Sequence, residues 1–314
     1  MRRRTALAAL SLWIAVPLPG QEQDPFESAK KEIDADAMKT VLSKLASDEF
    51  EGRGTLTPGI RKAREYIEAR LKEWNVAPVG SGYELPCKPW CNLGALHRGS
   101  DPRLKDEVIV LGSHYDHLGR ARKPVDGDDI NNGADDNASG STLNLFVAKA
   151  LAASKLRTKR SILHLWFDGE EQGLNGSKSY CQDPVVPMDR IAAMVNCDMV
   201  GRPEETGAKL WGVGSSLQFE PCGANARRRA PDAKVNLLEE KGPYFHRSDQ
   251  APFWSRGVPV MFLFGTMHGD YHRVTDHADK IDYPKLAELA KFVLALVVEL
   301  ADYDGKIERN PDYK

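Results

Sequence analysis

The sequence predicts an α/β fold: a mixed, centrally parallel β-sheet sandwiched by helices, in a single domain. Three observations carry this expectation. Short apolar runs recur beyond residue 105, and several are nearly continuous, as strands covered on both faces should be. Helical stretches separate them, which favours parallel strands at the sheet centre. Acidic residues and histidines follow directly on the runs, where an open α/β sheet places its ligand crevice.

The first segment, MRRRTALAALSLWIAVPLPG, is set apart from this pattern. Three arginines precede an apolar run from Thr5 to about Leu18, then Pro, Gly and a polar stretch, which is the layout of a secretory signal peptide. The run is too short for a spanning helix, which needs ~20 apolar residues. Cleavage is expected near Gly20, giving a signal peptide over 1–20 and a catalytic domain over 21–314, secreted or periplasmic. No Cys occurs in the first 86 residues, so a lipid-modified Cys just after the signal is excluded.

The composition is 41% hydrophobic and 28% charged, which is globular. Formal net charge is −2, and loss of Arg2, Arg3 and Arg4 makes it −5. No basic field is left to recruit nucleic acid. The cluster Arg227–Arg229 reads as a solvated helix face. Of the five cysteines, Cys87 and Cys91 are close enough to pair across a turn, while Cys197 lies in an apolar run as a buried thiol. An odd count leaves at least one without an intrachain partner.

An amphipathic helix is expected over about 28–47, with Ile33, Met38, Val41, Leu42 and Leu45 on one face. A second should start at Pro58 after the N-cap Thr57, its apolar positions Ile60, Ala63, Ile67, Leu71 and Trp74 stepping by three or four. Strand-like runs follow at 107–113, 161–167, 191–197, 208–213 and 258–264, with a helix at about Ala138–Ala153 and a last one at about Tyr283–Ala301. The segment 80–104 is short, so no inserted accessory domain is expected.

EVIVLGS runs into HYDH, SILHLWF into DGEE, IAAMVNC into DMVGR, and VPVMFLF into GTMHGDYH. A loop, NNGADDNASG, lies between the first two. Each item alone is weak: a lone His after a strand is usually a hydrogen-bonded surface residue, and an Asp pair before a helix is often an N-cap. Their joint placement on one rim points to metal chemistry. Imidazoles and carboxylates without thiolates suit an open zinc site rather than a closed structural one. Three carboxylates carry about −3; two Zn²⁺ with one hydroxide bring the sum to about zero, whereas one Zn²⁺ leaves the cluster negative. Two metals roughly 3.5–4 Å apart need a bridging carboxylate, for which a loop Asp is suited.

GSHYDHLG, NNGADDNASG, FDGEEQGL, NCDMVGR and GDYHRVTDH, in this order, resemble the motif series of the secreted bacterial co-catalytic zinc aminopeptidases, a family related to the folate hydrolases. The resemblance covers about residues 50–300 and implies a zinc-exopeptidase-like fold. It implies that His114 and Asp198 hold the first zinc, Glu171 and His272 the second, and Asp135 bridges them. Glu170 resembles the general base, Asp116 the carboxylate orienting His114, and Tyr271 a tyrosine that steadies the oxyanion. The DYH context selects His272 over His268 and His277. His117 and Asp136 are expected to be neighbours of ligands; Asp249 and Asp276 to be supporting or capping residues; Arg202 to sit in a structural ion pair. The implied activity is removal of N-terminal residues from peptides with a free N-terminus, by a monomer with no nucleic-acid or membrane partner. Rivals on the same fold are a glutaminyl cyclase with one working zinc, a metallo-carboxypeptidase or dipeptidase, and a non-catalytic binding module.

Overall fold

The structure, a computed structural model, describes residues 24–313; the predicted signal peptide lies outside the described residues. Two short helices open the fold, α1 (Pro25–Lys31) and α2 (Ala35–Leu45). The single helix expected over 28–47 is therefore two. Asp34 ends the first run and caps the second, accepting a hydrogen bond from the Ala37 amide at 2.8 Å, as an N-cap carboxylate does. The apolar spacing continues across this break, which hides it from a periodicity argument. Helix α3 (Pro58–Glu73) starts where Thr57 and Pro58 put it, the Thr57 hydroxyl accepting from Gly59 N.

The remaining elements are β1 (Glu84–Cys87), β2 (Trp90–His97), β3 (Val108–His114), β4 (Arg120–Val125), β5 (Asp128–Ile130), α4 (Gly140–Ala153), β6 (Ser161–Phe167), α5 (Asn175–Gln182), β7 (Ile191–Asp198), β8 (Ala208–Trp211), α6 (Phe219–Arg229), β9 (Val235–Leu237), α7 (Gln250–Ser255), β10 (Val260–Phe264) and α8 (Tyr283–Asp302). Eight strands form one sheet in the order β1-β2-β6-β3-β7-β10-β8-β9. The four at its centre, β6, β3, β7 and β10, are mutually parallel. Strands β2 and β8 flank them antiparallel. The mixed, centrally parallel sheet between helices is the architecture the apolar runs implied.

All seven residues of β3 and of β6 are buried, as are the five of β10. Helices α2, α4, α6 and α8 cover one face, where α8 buries an unbroken set from Leu289 to Leu300 apart from half-buried Lys291 and Glu299. The other face packs on α5 and α7 through Tyr180, Phe253 and Trp254. Each such side chain contributes roughly 1.5–3 kcal/mol on burial. No described helix is long and apolar enough to cross a membrane.

Cys87 and Cys91, close enough in sequence to pair, are not bonded; all five cysteines are free thiols. In the β1–β2 hairpin Cys87 pairs with Trp90 and Cys91 with Pro86, so the pleat sends the two thiols to opposite faces. The arginine cluster is only partly solvated. Arg227 and Arg228 are exposed, but Arg229 pairs with Glu299 at 3.0 Å and stacks over Phe26 at 3.6 Å.

Candidate metal centre

Strand register brings the motif ends level. His114 lies opposite Phe167, and Asp198 opposite Phe264, so the residues that follow β3, β6, β7 and β10 all leave the sheet at one rim. His114 is fully buried, and its Nδ1 lies 3.3 Å from the Asp116 carbonyl and 3.6 Å from Asp116 Oδ1. The Nδ1–H donates on that side, so Nε2 carries a lone pair. It faces Asp136 Oδ1 at 3.3 Å and Asp198 Oδ1 at 3.4 Å. The Asp198 Oδ1 atom has no hydrogen-bond partner among the described residues, while its Oδ2 accepts from the Ser248 hydroxyl. One imidazole nitrogen and two carboxylate oxygens thus converge in a buried space, an arrangement that a cation satisfies.

A second such convergence shares the same carboxylate. His272 Nε2 lies 3.2 Å from Asp136 Oδ2 and 3.1 Å from Glu171 Oε2. His117 stands behind Glu171, its Nδ1–H donating to Glu171 Oε1 at 2.7 Å and lying 3.9 Å from Asp136 Oδ2. The sets His114, Asp136, Asp198 and His117, Asp136, Glu171 each offer ligand atoms close enough for one metal ion.

Asp135 as the shared carboxylate is therefore corrected to Asp136. Asp135 points away from both clusters: Oδ1 accepts from the Gly201 amide at 2.6 Å and Oδ2 faces His268 Nε2 at 2.9 Å. Its role is to hold the loop. Asp276 Oδ2 accepts from both the Asp135 and Asp136 amides, and Asp276 Oδ1 and Asp270 take the two arms of Arg202. Gly133 leads into this turn at φ 56°. Glycine adopts that conformation without strain, and a side chain there would also strike the Asp136 carbonyl and the His117 ring. His277 lies apart, 3.4 Å from Asp128. Met199 and His272 sit at φ 51° and 57°. That region is costly for residues with a Cβ and recurs at functional sites.

The Asp116 side chain lies near His114 and is hydrogen-bonded elsewhere. Its two carboxylate oxygens accept from the Glu170 and Glu171 amides, fixing the GEE turn. Thr55 bridges Asp116 to Asp168. Burial, with Asp116 nearby, pushes the Asp168 carboxyl up to about 7. Burial likewise pushes Asp249 up to about 7.

Burial alone would lower the His114 imidazole, but Asp198 and Glu170 raise it well above its ordinary value. The same contest raises His272 to about 10, through Asp136 and Glu171. Burial would raise Asp136; His114 and His272 hold it well below the usual carboxylate range. The two raised imidazoles report the negative charge around them, and the lowered Asp136 reports the imidazoles on either side of it. Glu170 differs: burial raises it well above the usual range and Asp249, Asp198 and Glu171 add to this against the pull of His114. It lines a cavity of about 390 Å³ with Asp136, Glu171, Asp198 and His272. Tyr271 lines it too, its ring stacked on His272 at 3.7 Å, and burial raises its hydroxyl so that it stays protonated. Aromatic rings of Tyr244, Phe262 and Phe264 also line it, in the cluster against which Tyr271 packs.

Sequence reasoning missed Arg53. It is 1% exposed and donates to four main-chain carbonyls: Leu45 at 2.7 Å, Tyr115 at 2.9 Å, Asn132 at 2.6 Å and Gly133 at 2.8 Å. It ties the end of α2 to the His114 strand end and to the Asp136 loop. Burial lowers its guanidinium to about 10, against the pull of Asp136 and Asp116. An EGRG tetrapeptide carries no signal for this role, because its acceptors are carbonyls.

Fold and convergent ligands define an α/β protein with a candidate metal centre beyond the carboxyl ends of its parallel strands. The sequence model of Peptidase family M28 matches residues 92–297, and the chain belongs to that family. It is 28% identical over 276 residues to leupeptin-inactivating enzyme 1 of Streptomyces exfoliatus, covering 88% of this chain and 56% of that one. The chain thus spans about half the length of the curated relatives it matches. Its fold is similar to the LapA aminopeptidase of Legionella pneumophila, with a TM-score of 0.73 at 20% identity over 95% of this chain and 78% of that one. It is also similar to the glutaminyl cyclase of Porphyromonas gingivalis, with a TM-score of 0.63 at 20% identity over 85% and 98%.

Proposed function

We propose that this protein is an exported zinc aminopeptidase that hydrolyses the N-terminal peptide bond of peptides with a free N-terminus. Two Zn²⁺ would be held, one by His114 and Asp198, the other by Glu171 and His272, with Asp136 shared. The observation that carries this reading is the Asp136 carboxylate, whose Oδ1 and Oδ2 each face a separate imidazole–carboxylate pair. One ion would satisfy only one of those convergences. Membership of a peptidase family supports the reaction class.

Zinc bound there supplies Lewis acidity that polarises the scissile carbonyl and acidifies the attacking water. Glu170, on the cavity wall beside Glu171 and Asp198, takes the proton of that water and hands it to the leaving amine. The neutral Tyr271 hydroxyl donates to the oxyanion as it forms. Asp116 keeps His114 and the Glu170–Glu171 turn in place. The surrounding carboxylates attract the substrate's α-ammonium, and the wall of Tyr244, Phe262 and Phe264 accepts its first side chain.

The test pairs zinc content per chain with release of the first residue from free and N-acetylated forms of one peptide. Two zincs, with cleavage of the free form alone, is the expected result. Cleavage of the acetylated peptide would indicate a carboxypeptidase. One zinc with pyroglutamate formation would indicate a cyclase. Export is tested by the N-terminus of protein recovered from the periplasm or medium, expected near Gln21.

A further inference from the structure

The segment CKPWC plays no part in the proposed reaction, yet it lies against the turn that carries Glu170 and Glu171. It forms the tip of the β1–β2 hairpin, where Cys87 pairs with Trp90. The Trp90 indole rests on the main chain of Gly169: a Cβ placed there would come within 2.8 Å of Trp90 Cδ1 and 2.9 Å of Trp90 Nε1. Gly169 sits at φ 71°, a conformation that glycine adopts without strain. Buried indoles usually find an acceptor, but Trp90 Nε1 has no hydrogen-bond partner among the described residues. The ring is placed by contact rather than by a bond of its own.

The two residues after Trp90 are bonded into the same turn. The Cys91 amide donates to Asp168 Oδ2 at 3.1 Å, and the Tyr115 hydroxyl donates to the Cys91 carbonyl at 2.6 Å. Asn92 Oδ1 accepts from the Asp168 amide at 3.0 Å, and Asn92 Nδ2 donates to the Gly176 carbonyl at 2.9 Å. Asn92 and Tyr115 are each 1% exposed, so water does not compete for these bonds. Asp168 and Gly176 are the two feet of the loop 169–175, and the hairpin holds both. Between the feet there is one loose point. Gly169 stands directly before Glu170 and has the widest backbone freedom of any residue type. On its other side the Glu170 and Glu171 amides reach Asp116 at 3.2 and 3.3 Å, beyond the commonest N–H···O distance.

We propose that Trp90 is a positioning residue for Glu170. The indole closes off the rotation at Gly169 that the Asp116 bonds leave open, and so sets the direction in which the Glu170 carboxyl leaves the turn. Trp90 does not line the cavity at the metal centre, so it acts through Gly169 and not on the substrate. A misplacement of about 1 Å in a reacting group can cost as much as 10²-fold in rate.

The proposal rests on the reading of Glu170 as general base, and the test separates the two. Turnover of a peptide with a free N-terminus is measured at a temperature where every variant is folded, with zinc content determined on the same samples. Trp90→Ala should lower kcat about tenfold, leave KM within about twofold, and leave zinc content unchanged. Trp90→Phe keeps a ring over Gly169 and should return kcat to within about threefold of the native value. In a Glu170→Gln background, adding Trp90→Ala should cost less than about twofold, because its effect passes through a carboxylate that is no longer there. Hydrogen exchange reads the same contact without turnover: in Trp90→Ala the amides of 169–175 should exchange about fivefold faster, and those of β3 at the native rate. Unchanged kcat in Trp90→Ala would overturn the proposal, since the tip would then be packing alone. So would a loss that Trp90→Phe does not recover, a full tenfold loss in the Glu170→Gln background, or exchange that is unchanged in 169–175 or raised equally in β3. If the native protein cleaves no peptide while exchange in 169–175 rises as stated, the peptidase reading fails and the hold of Trp90 on the turn stands.

Discussion

Strand β6 has surroundings of opposite charge at its two ends. Beyond its carboxyl end, Asp168, Glu170 and Glu171 meet Asp116, Asp136, Asp198 and Asp249, with Arg53 the buried cation among them. Beneath its amino end, Arg98, Lys155 and Arg157 ring a cavity without a carboxylate. The buried groups respond accordingly. At the acidic end imidazoles are pushed up, His272 to about 10. At the other end His164 is pushed down to about 3. Both histidines lose solvation, so burial alone does not decide the sign; at the acidic end the neighbouring carboxylates do. One sheet thus carries an acidic rim beyond the carboxyl end of β6 and a basic recess near its amino end.

The sharpest break in the comparison is at the shared carboxylate. Asp136→Ala should lose both ions and bring turnover to background, measured by metal analysis and peptide hydrolysis. Asp135→Asn, one residue away, should keep both ions with affinity reduced about 10- to 100-fold, as for an outer partner. Equal loss in the two variants would return the bridging role to Asp135. Glu170→Gln comes next: it should retain its zinc and lose about 10³-fold in kcat. Near-normal turnover would remove Glu170 from the reaction.

Arg53→Lys should cost about 3 kcal/mol in urea denaturation, because an ammonium cannot reach all four carbonyls and buried acceptors are left unpaired. The smallest effect is expected at the basic end. The folded His164 gains a proton only near pH 3, the unfolded one near 6.5, so between those values the unfolded chain binds more protons. Its stabilising contribution is complete above pH 6.5 and falls as pH drops toward 3, by up to about 1.4 kcal/mol per unit. His164→Gln should shrink the stability difference between pH 6.5 and pH 5 by about 2 kcal/mol. An unchanged acid limb would place the proton uptake elsewhere.

The parallel strands were legible in the sequence for the same reason that they hold the site: β3, β6 and β10 are covered on both faces, so their apolar runs are unbroken and end where the polar residues begin. The edge hairpin β1–β2 was not, since its four-residue first strand alternates exposed and half-buried positions around Pro86 and a Lys88–Pro89 turn. In hairpin β4–β5 the first strand is mostly exposed and half charged and the second is only three residues long, so there is no apolar run to read. The choice between Asp135 and Asp136 could not be made from GADDN alone. It depends on Gly201, His268 and Asp276, which are 66 to 141 residues distant and take up the groups that do not face the metal centre. Arg202 does sit in an ion pair, as its default reading had it, but its partners Asp270 and Asp276 come from another motif about 70 residues on, which the sequence did not indicate.

The Arg53 guanidinium also bears on the order in which the molecule is assembled. Its acceptors at Tyr115, Asn132 and Gly133 are synthesised 62 to 80 residues after it. Until they arrive the arginine remains hydrated, and closing those long loops carries an entropic cost that local structure cannot offset. The loop that presents Asp136 is therefore locked only when the first and second quarters of the chain dock. Residues before Gly54 supply no metal ligand, yet a chain lacking them would leave that loop without its clasp.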